Sequence, residues 1–309
     1  MKCLRTLLPL LAAIAVLLTL FSLWVPNGRF LTPGNLMNLA QQISVNAILA
    51  FGLTLVIIVG GIDLSVGAVV ALAGVVSVSL LGSGAAAGTA GGVAAAGLAG
   101  AVNGACASRT RMPPFIITLA TMLIARGMAL GFNESRPMPV PDKETVFLAL
   151  GNERLGAWLP VPVVVMLGVA LLTGLLLHRT RFGQHLFAIG GNREAARCTG
   201  IPLVSSELLV YILCGCCAGL AGVINASQLY SAEPGAGQGF ELSAIAAVVV
   251  GGTSFSGGVG SIPGTLLGAV IIGILDKGLN QAGVHFSLQY IIKGAVILTA
   301  VGLDVRRRK

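Results

Sequence analysis

The chain has 309 residues, 55% of them hydrophobic and only 10% charged, with a mean hydropathy of +0.93. A water-soluble domain carries about 25% charged residues, so this composition excludes a globular protein surrounded by water and points to a lipid bilayer. The net charge of +8 sits in short clusters between apolar runs rather than on one face, a pattern that sets membrane topology and excludes a nucleic-acid surface.

The apolar runs lack strand-like alternation, which predicts an all-α polytopic membrane protein with about ten transmembrane helices. In chain order the predicted spans are 7–25, 43–60, 66–82, 85–106, 115–132, 159–177, 208–229, 241–255, 263–280 and 288–304. MKCLRT followed by Leu7–Val25 looks like a secretory signal, but the run exceeds the roughly 7–15 residues of a cleavable core and no A-x-A site follows, so it is read as an uncleaved first span. The shortest spans, 66–82 and 241–255, are flanked by glycine-rich turns near Gly60–Gly67 and Gly251–Gly258 and are predicted to be interrupted or re-entrant.

The first of these turns lies in VIIVGGIDLSVG (Val56–Gly67). Gly60 and Gly61 end a helix, and Asp63 or Ser65 can cap the next one near Leu64. Such a junction at membrane depth survives only inside protein or beside a water-filled cavity. Asp63 therefore has two readings: a helix cap, which the spacing favours, or a functional carboxylate of a proton, ion or solute path. AVVVGGTSFSGG (Ala247–Gly258) echoes the stretch, with Gly-Gly over Gly-Gly and Ser65 over Ser256; chance and an internal repeat both account for it.

In the span 85–106, Gly84, Gly88, Gly92, Ala96, Gly100 and Gly104 recur every fourth residue, which predicts a smooth face for close helix packing in lipid. Arg126, inside the next span, either lines a polar path or extends toward the outer surface. The segment 133–158 mixes acids and bases and is read as a periplasmic loop. Basic residues instead concentrate in Lys2 and Arg5, Arg109 and Arg111, Arg179–Arg197 and the tail Arg306–Lys309, which places both termini in the cytoplasm.

The cytoplasmic loop 178–207 contains Asn192–Cys198, a predicted short helix with Gly190 and Gly191 before it, Asn192 as N-cap, Glu194 in its first turn, and Gly200 and Pro202 as stops. A helix this short has no core of its own and must dock on the rest of the chain or on a partner. Cys214, Cys216 and Cys217 lie inside an apolar span with no histidine or acid in it and are read as packing residues. Asp276 and Lys277 are expected to neutralise one another. No phosphate-binding loop, zinc motif or nucleophile elbow is present, and the three histidines are scattered. The whole chain is expected to be one transmembrane domain and not an enzyme, with no cofactor and no catalytic or metal residues.

QQISVNAILAFGLTLVIIVGGIDLSVG, FGQHLFAIGGNREAARCTGI and ELSAIAAVVVGGTSFSGGVGSIPGTLLGAVIIGIL together resemble the permease subunits of bacterial sugar ABC importers, ribose permeases above all, from about Asn35 to about Leu303. The resemblance implies a bacterial inner-membrane homodimer surrounded by lipid, with its sugar path at the central interface. It further implies a separate cytoplasmic ATP-binding subunit and a periplasmic sugar-binding protein. Gly60, Gly61, Asp63, Ser65 and Gly67 would be the signature, and Gly190, Gly191, Asn192, Arg193, Glu194, Ala195 and Gly200 the element that couples to the ATPase. The family's acid in E-L-D-A-I-A-A is Ser243 here, which keeps hydrogen bonding but not charge. Two competing functions are an ion-coupled secondary carrier using Asp63 and a membrane scaffold that transports nothing. The sugar is not legible; aromatics at 5% leave few stacking surfaces.

Overall fold

Backbone N–H and C=O groups in hydrocarbon have no water to bond, so each apolar run closes its own hydrogen bonds as a helix. The computed structural model describes residues 2–156 and 158–307, and of the basic tail Arg308 and Lys309 lie outside the described residues. Among the described residues there are thirteen α-helices and two small antiparallel two-stranded ladders.

The ten predicted spans each contain one helix: α1 (Lys2–Trp24), α2 (Pro33–Ile58), α3 (Val66–Ser79), α4 (Ala85–Arg109), α5 (Pro114–Gly131), α7 (Val161–Arg179), α10 (Leu203–Gln228), α11 (Phe240–Val250), α12 (Ile262–Gln281) and α13 (Phe286–Arg307). Seven are long and apolar enough to cross a membrane, while α3, α11 and the Phe286–Thr299 part of α13 are shorter apolar helices. The helix α3 has 14 residues, or about 21 Å at 1.5 Å per residue, against a hydrocarbon core of about 30 Å. It cannot cross alone. The seven-residue stretch 59–65 joins it to the end of α2.

Two helices sit at the centre. Burial reaches 83% in the apolar window of α2 and 67% in that of α10, but only 6% in that of α1, which lies against α12 with the Phe21 ring filling the space left by Gly278. A hydroxyl pair, Thr54 and Thr265 at 2.8 Å, ties α2 to α12. The smooth face of α4 is real: its buried residues are Gly88, Gly92, Ala96, Gly100, Asn103 and Gly104. A methyl group on Gly104 would lie 2.8 Å from Leu208 Cα, and one on Gly92 would lie 2.6 Å from the Ala73 carbonyl, so this one face receives both α10 and α3. The cysteines of α10 are packing residues as well. A methyl group on Gly52 would fall 2.9 Å from Cys214 Cα and 3.0 Å from Cys217 Cβ.

The segment 133–158 is more ordered than its mixed charge suggests. It contains β1 (Met138–Pro139), α6 (Thr145–Asn152) and β2 (Arg154–Leu155). β1 pairs with β4 (Ser231–Ala232), and β2 with β3 (Leu159–Pro160). Phe147 is fully buried in a small second core with Val75, Val78 and Val223, and Ser227 in α10 accepts the Gly151 N–H at 2.8 Å.

Candidate functional site

The sequence around Gly60 breaks the helix in a specific way. Gly60 takes the left-handed backbone (φ +83°), and the turn closes with Gly60 N–H to Ile57 O and Gly61 N–H to Val56 O, each 2.9 Å. This is the double bond of a glycine-terminated helix. Asp63 then accepts the Ser65 N–H at 2.8 Å and the Ser65 hydroxyl at 2.6 Å. The helix α3 starts at Val66, not near Leu64, and Ser65 is its N-cap residue without a side-chain cap bond. The carboxylate thus holds the turn before the helix instead of bonding the helix's own free N–H groups.

The partners of this turn come from far away in the chain. Asn103 of α4 donates to Ser65 Oγ at 2.9 Å and to Asp63 Oδ2 at 3.5 Å. Thr118 of α5 donates to Ile62 O and accepts the Leu64 N–H, both at 3.2 Å. Asp63, Ser65 and Asn103 are 2%, 1% and 1% exposed, so the cluster is sealed; the Asp63 carboxylate is held by its neighbours, while Asn103 Oδ1 is buried without a partner among the described residues. Gly67, one residue into α3, makes room for Glu241 and the Gly237 carbonyl.

The second break repeats the first. At the end of α11, Gly252 is left-handed (φ +90°), with Gly252 N–H to Val249 O at 2.9 Å and Thr253 N–H to Val248 O at 3.1 Å. The Ser254 hydroxyl accepts the Ser256 N–H as Asp63 accepts that of Ser65. The side-chain turns follow the sequence echo in register, whereas the left-handed glycine is the first of the pair in one break and the second in the other.

The two breaks meet under the loop 178–207. That loop holds two helices where one is predicted: α8 (Arg181–Gly191) and α9 (Arg193–Cys198). Gly190 and Gly191 are the last turn of α8 rather than a lead-in to α9. Thr180 accepts the Gly183 N–H to start α8, and Leu186 and Ile189 bury its inner face. Asn192 caps α9 by accepting the Ala195 N–H at 3.0 Å, with Glu194 in the first turn, as the spacing predicts. Gly200 ends it in the left-handed region (φ +79°). Gly258 N–H bonds Ile58 O at 2.9 Å, and Gly190 lies so close that a methyl group there would collide with the Ile58 carbonyl and reach within 2.5 Å of Gly258 N. The end of α2, the end of α8 and the loop after α11 therefore touch backbone to backbone.

Arg193 is held from within the chain. Its guanidinium makes a two-point contact with Glu207, Nη1 to Oε1 and Nη2 to Oε2, the latter 3.1 Å. Glu207 is 4% exposed on α10, so α9 is clamped to a central helix. Glu194, Ala195 and Arg197 stay exposed on the outer side of α9. Arg126 donates to the carbonyls of Pro234 and Ala236, both at 2.7 Å, so it ties down the segment that leads into α11. Asp276 pairs with Lys293 of α13 at 3.0 Å and not with Lys277, because neighbouring residues on a helix do not face one another. Asn103, Thr118 and Glu207 are the site residues that sequence reasoning misses: their helices carry other polar residues too, such as Thr121 in α5 and Ser206 in α10, so nothing local singles them out.

A family model described as a branched-chain amino acid transport system permease component matches residues 35–301, and the chain belongs to that family. It is 44% identical over 302 residues to the ribose import permease of Escherichia coli strain K12, covering 96% of this chain and 93% of that one. It is 45% identical over 284 residues to the ribose import permease of Bacillus subtilis strain 168, covering 91% and 88%. The D-allose transport system permease of Escherichia coli strain K12 is 40% identical over 294 residues, covering 94% and 89%. The chain is a multi-pass membrane permease subunit of a transport system, not an enzyme.

Proposed function

We propose that the chain is the permease of an ATP-driven importer that moves a monosaccharide across a bacterial inner membrane. A separate cytoplasmic subunit would hydrolyse ATP, a periplasmic protein would deliver the sugar, and a second copy of the chain would complete the path. The whole of 1–309 acts in this reading as one membrane domain, and both termini lie on the ATPase side. The observation that carries it is the glycine junction: α8 touches both helix breaks through Gly190, and α9 follows it directly after Asn192. Motion of α9 on an ATPase would reach α2 and α11 through Ile58 and Gly257–Gly258, and α10 through the Arg193–Glu207 clamp. The breaks make that motion possible, since α3 and the segments beside Gly60 and Gly252 are joined to the long helices by turns rather than by continuous hydrogen-bond ladders.

The sealed turn at Asp63 weighs against the ion-coupled reading. Both hydroxyl and amide donors already occupy Oδ1, and no open aqueous space is needed to satisfy it.

The docking assignment has a direct test in detergent co-purification with the cognate ATP-binding subunit. Reversing the exposed charges together, Glu194→Arg with Arg197→Glu, is expected to reduce the co-purified ATPase at least fivefold. Arg193→Lys, whose single ammonium cannot reproduce a two-point contact, is expected to assemble normally but to transport more slowly. Undiminished assembly in the double variant would remove α9 as the docking surface.

A further inference from the structure

A cavity of about 440 Å³ lies between α11, α12 and α13, with Gln42 of α2 on its wall. It takes no part in the coupling geometry. Its size is within the roughly 300–1,000 Å³ of small-molecule sites. Asp276 stands fourteen residues beyond the start of α12 at Ile262, about 21 Å along the helix. The cavity is therefore toward the end of the bundle away from the coupling loop, where a periplasmic donor would release its cargo.

Its lining is polar for a space among apolar helices. Gln42, Asn280 and Gln289 present amides, and Ser243 a hydroxyl. Asp276 and Lys293 are paired at the wall, with Lys293 Nζ 5.9 Å from the centroid of the Tyr290 ring. Phe240 adds a second aromatic surface. Charged and amide groups among membrane helices face partners or a water-filled space, not lipid tails.

We propose that this cavity is a binding subsite for a neutral monosaccharide within the permease itself, a proposal that rests on the importer reading above. A sugar hydroxyl both donates and accepts, and the amides do the same, with Asp276 accepting and Lys293 donating. The two rings suit the apolar C–H face of a pyranose or furanose. No arginine fork lines the space, which is what selective binding of carboxylate or phosphate groups commonly uses; Lys277 adds one further donor. Gly294 also lines the cavity, and a methyl group there meets nothing within 4 Å, so a larger side chain can enter the space without displacing backbone.

The test uses full-length permease in nanodiscs without the binding protein, titrated with radiolabelled D-ribose and D-allose and with D-galacturonate as competitor. Saturable binding of at least one neutral sugar is expected, at least tenfold weaker in Gly294→Trp and in Asn280→Leu and unchanged in Gly168→Ala, a glycine of α7 outside the cavity with open space around it. Binding of neither sugar, equal binding by the tryptophan variant, or tighter binding of the uronate would overturn the proposal. ATP-driven uptake by the assembled complex is measured in parallel. Normal uptake with the cavity filled would refute the subsite and leave the importer reading intact. A wild-type complex that moves no sugar would refute the importer reading, while the nanodisc titration would still decide the subsite.

Discussion

Gly190→Ala is expected to abolish ATP-dependent uptake while Gly191→Ala, one residue further on, leaves it close to wild type. The contrast follows from geometry. A methyl group at 190 collides with backbone, the Ile58 carbonyl and Gly258 N, whereas one at 191 meets nothing within 4 Å. Backbone cannot rotate away as a side chain can, so either α8 moves off the two breaks or the Gly258 N–H to Ile58 O bond is lost. Overpacking of this kind costs about 1–3 kcal/mol, and a lost buried hydrogen bond about 1 kcal/mol more. Uptake by proteoliposomes containing the assembled complex, together with ATP hydrolysis in the same vesicles, is the measurement. Hydrolysis that continues with uptake reduced at least tenfold is the expected signature of a broken junction. Equal uptake by the two alanine variants would show that the close approach carries no motion.

Gly100→Leu is expected to destabilise the central bundle strongly. Gly100 lies against the Tyr211 carbonyl, with Tyr211 C at 2.9 Å and Ile212 Cα at 3.2 Å from where a Cβ would sit. Without a hydrophobic driving force between helices in lipid, close backbone packing is much of what holds α4 to α10. A leucine at 100 should lower the thermal unfolding midpoint in detergent by several degrees and reduce the folded yield severalfold. Gly127→Leu in α5, where a Cβ has open space, should change neither. A Gly100→Leu protein with wild-type unfolding would mean that the α4 face is not a packing surface.

What could be read from the sequence, and what could not, divides along the range of the interactions. The α4 face is legible because helix period and glycine spacing coincide over five turns, and the breaks because two adjacent glycines followed by a side-chain acceptor two residues before a serine write the turn out locally. The cap at Asn192 is local too. By contrast, the pairing of Arg193 with Glu207 joins residues on two helices across a turn, and Asn103 and Thr118 reach the Asp63 turn from 40 and 56 residues away in the chain. Nothing in the neighbouring sequence marks such partners. The helix α8 hides for a different reason: it ends in Gly190 and Gly191, which normally read as a loop, whereas here they form its last turn and the missing side chain at Gly190 lets the helix end touch two other backbones. Asp276 misleads in the same way, since the nearest charge in sequence is Lys277 and the nearest in space is Lys293.

In the proposed mechanism this permease is opened and closed by ATP hydrolysis on another subunit, delivered through α9 and Gly190. Its most direct test is sugar uptake by proteoliposomes holding the permease, the cognate ATP-binding subunit and the sugar-binding protein, energised in turn by enclosed ATP and by an imposed proton or sodium gradient. Uptake with ATP, unaffected by ionophore and absent with a gradient alone, is the expected result. Uptake driven by the gradient without ATP, and collapsed by ionophore, would contradict it.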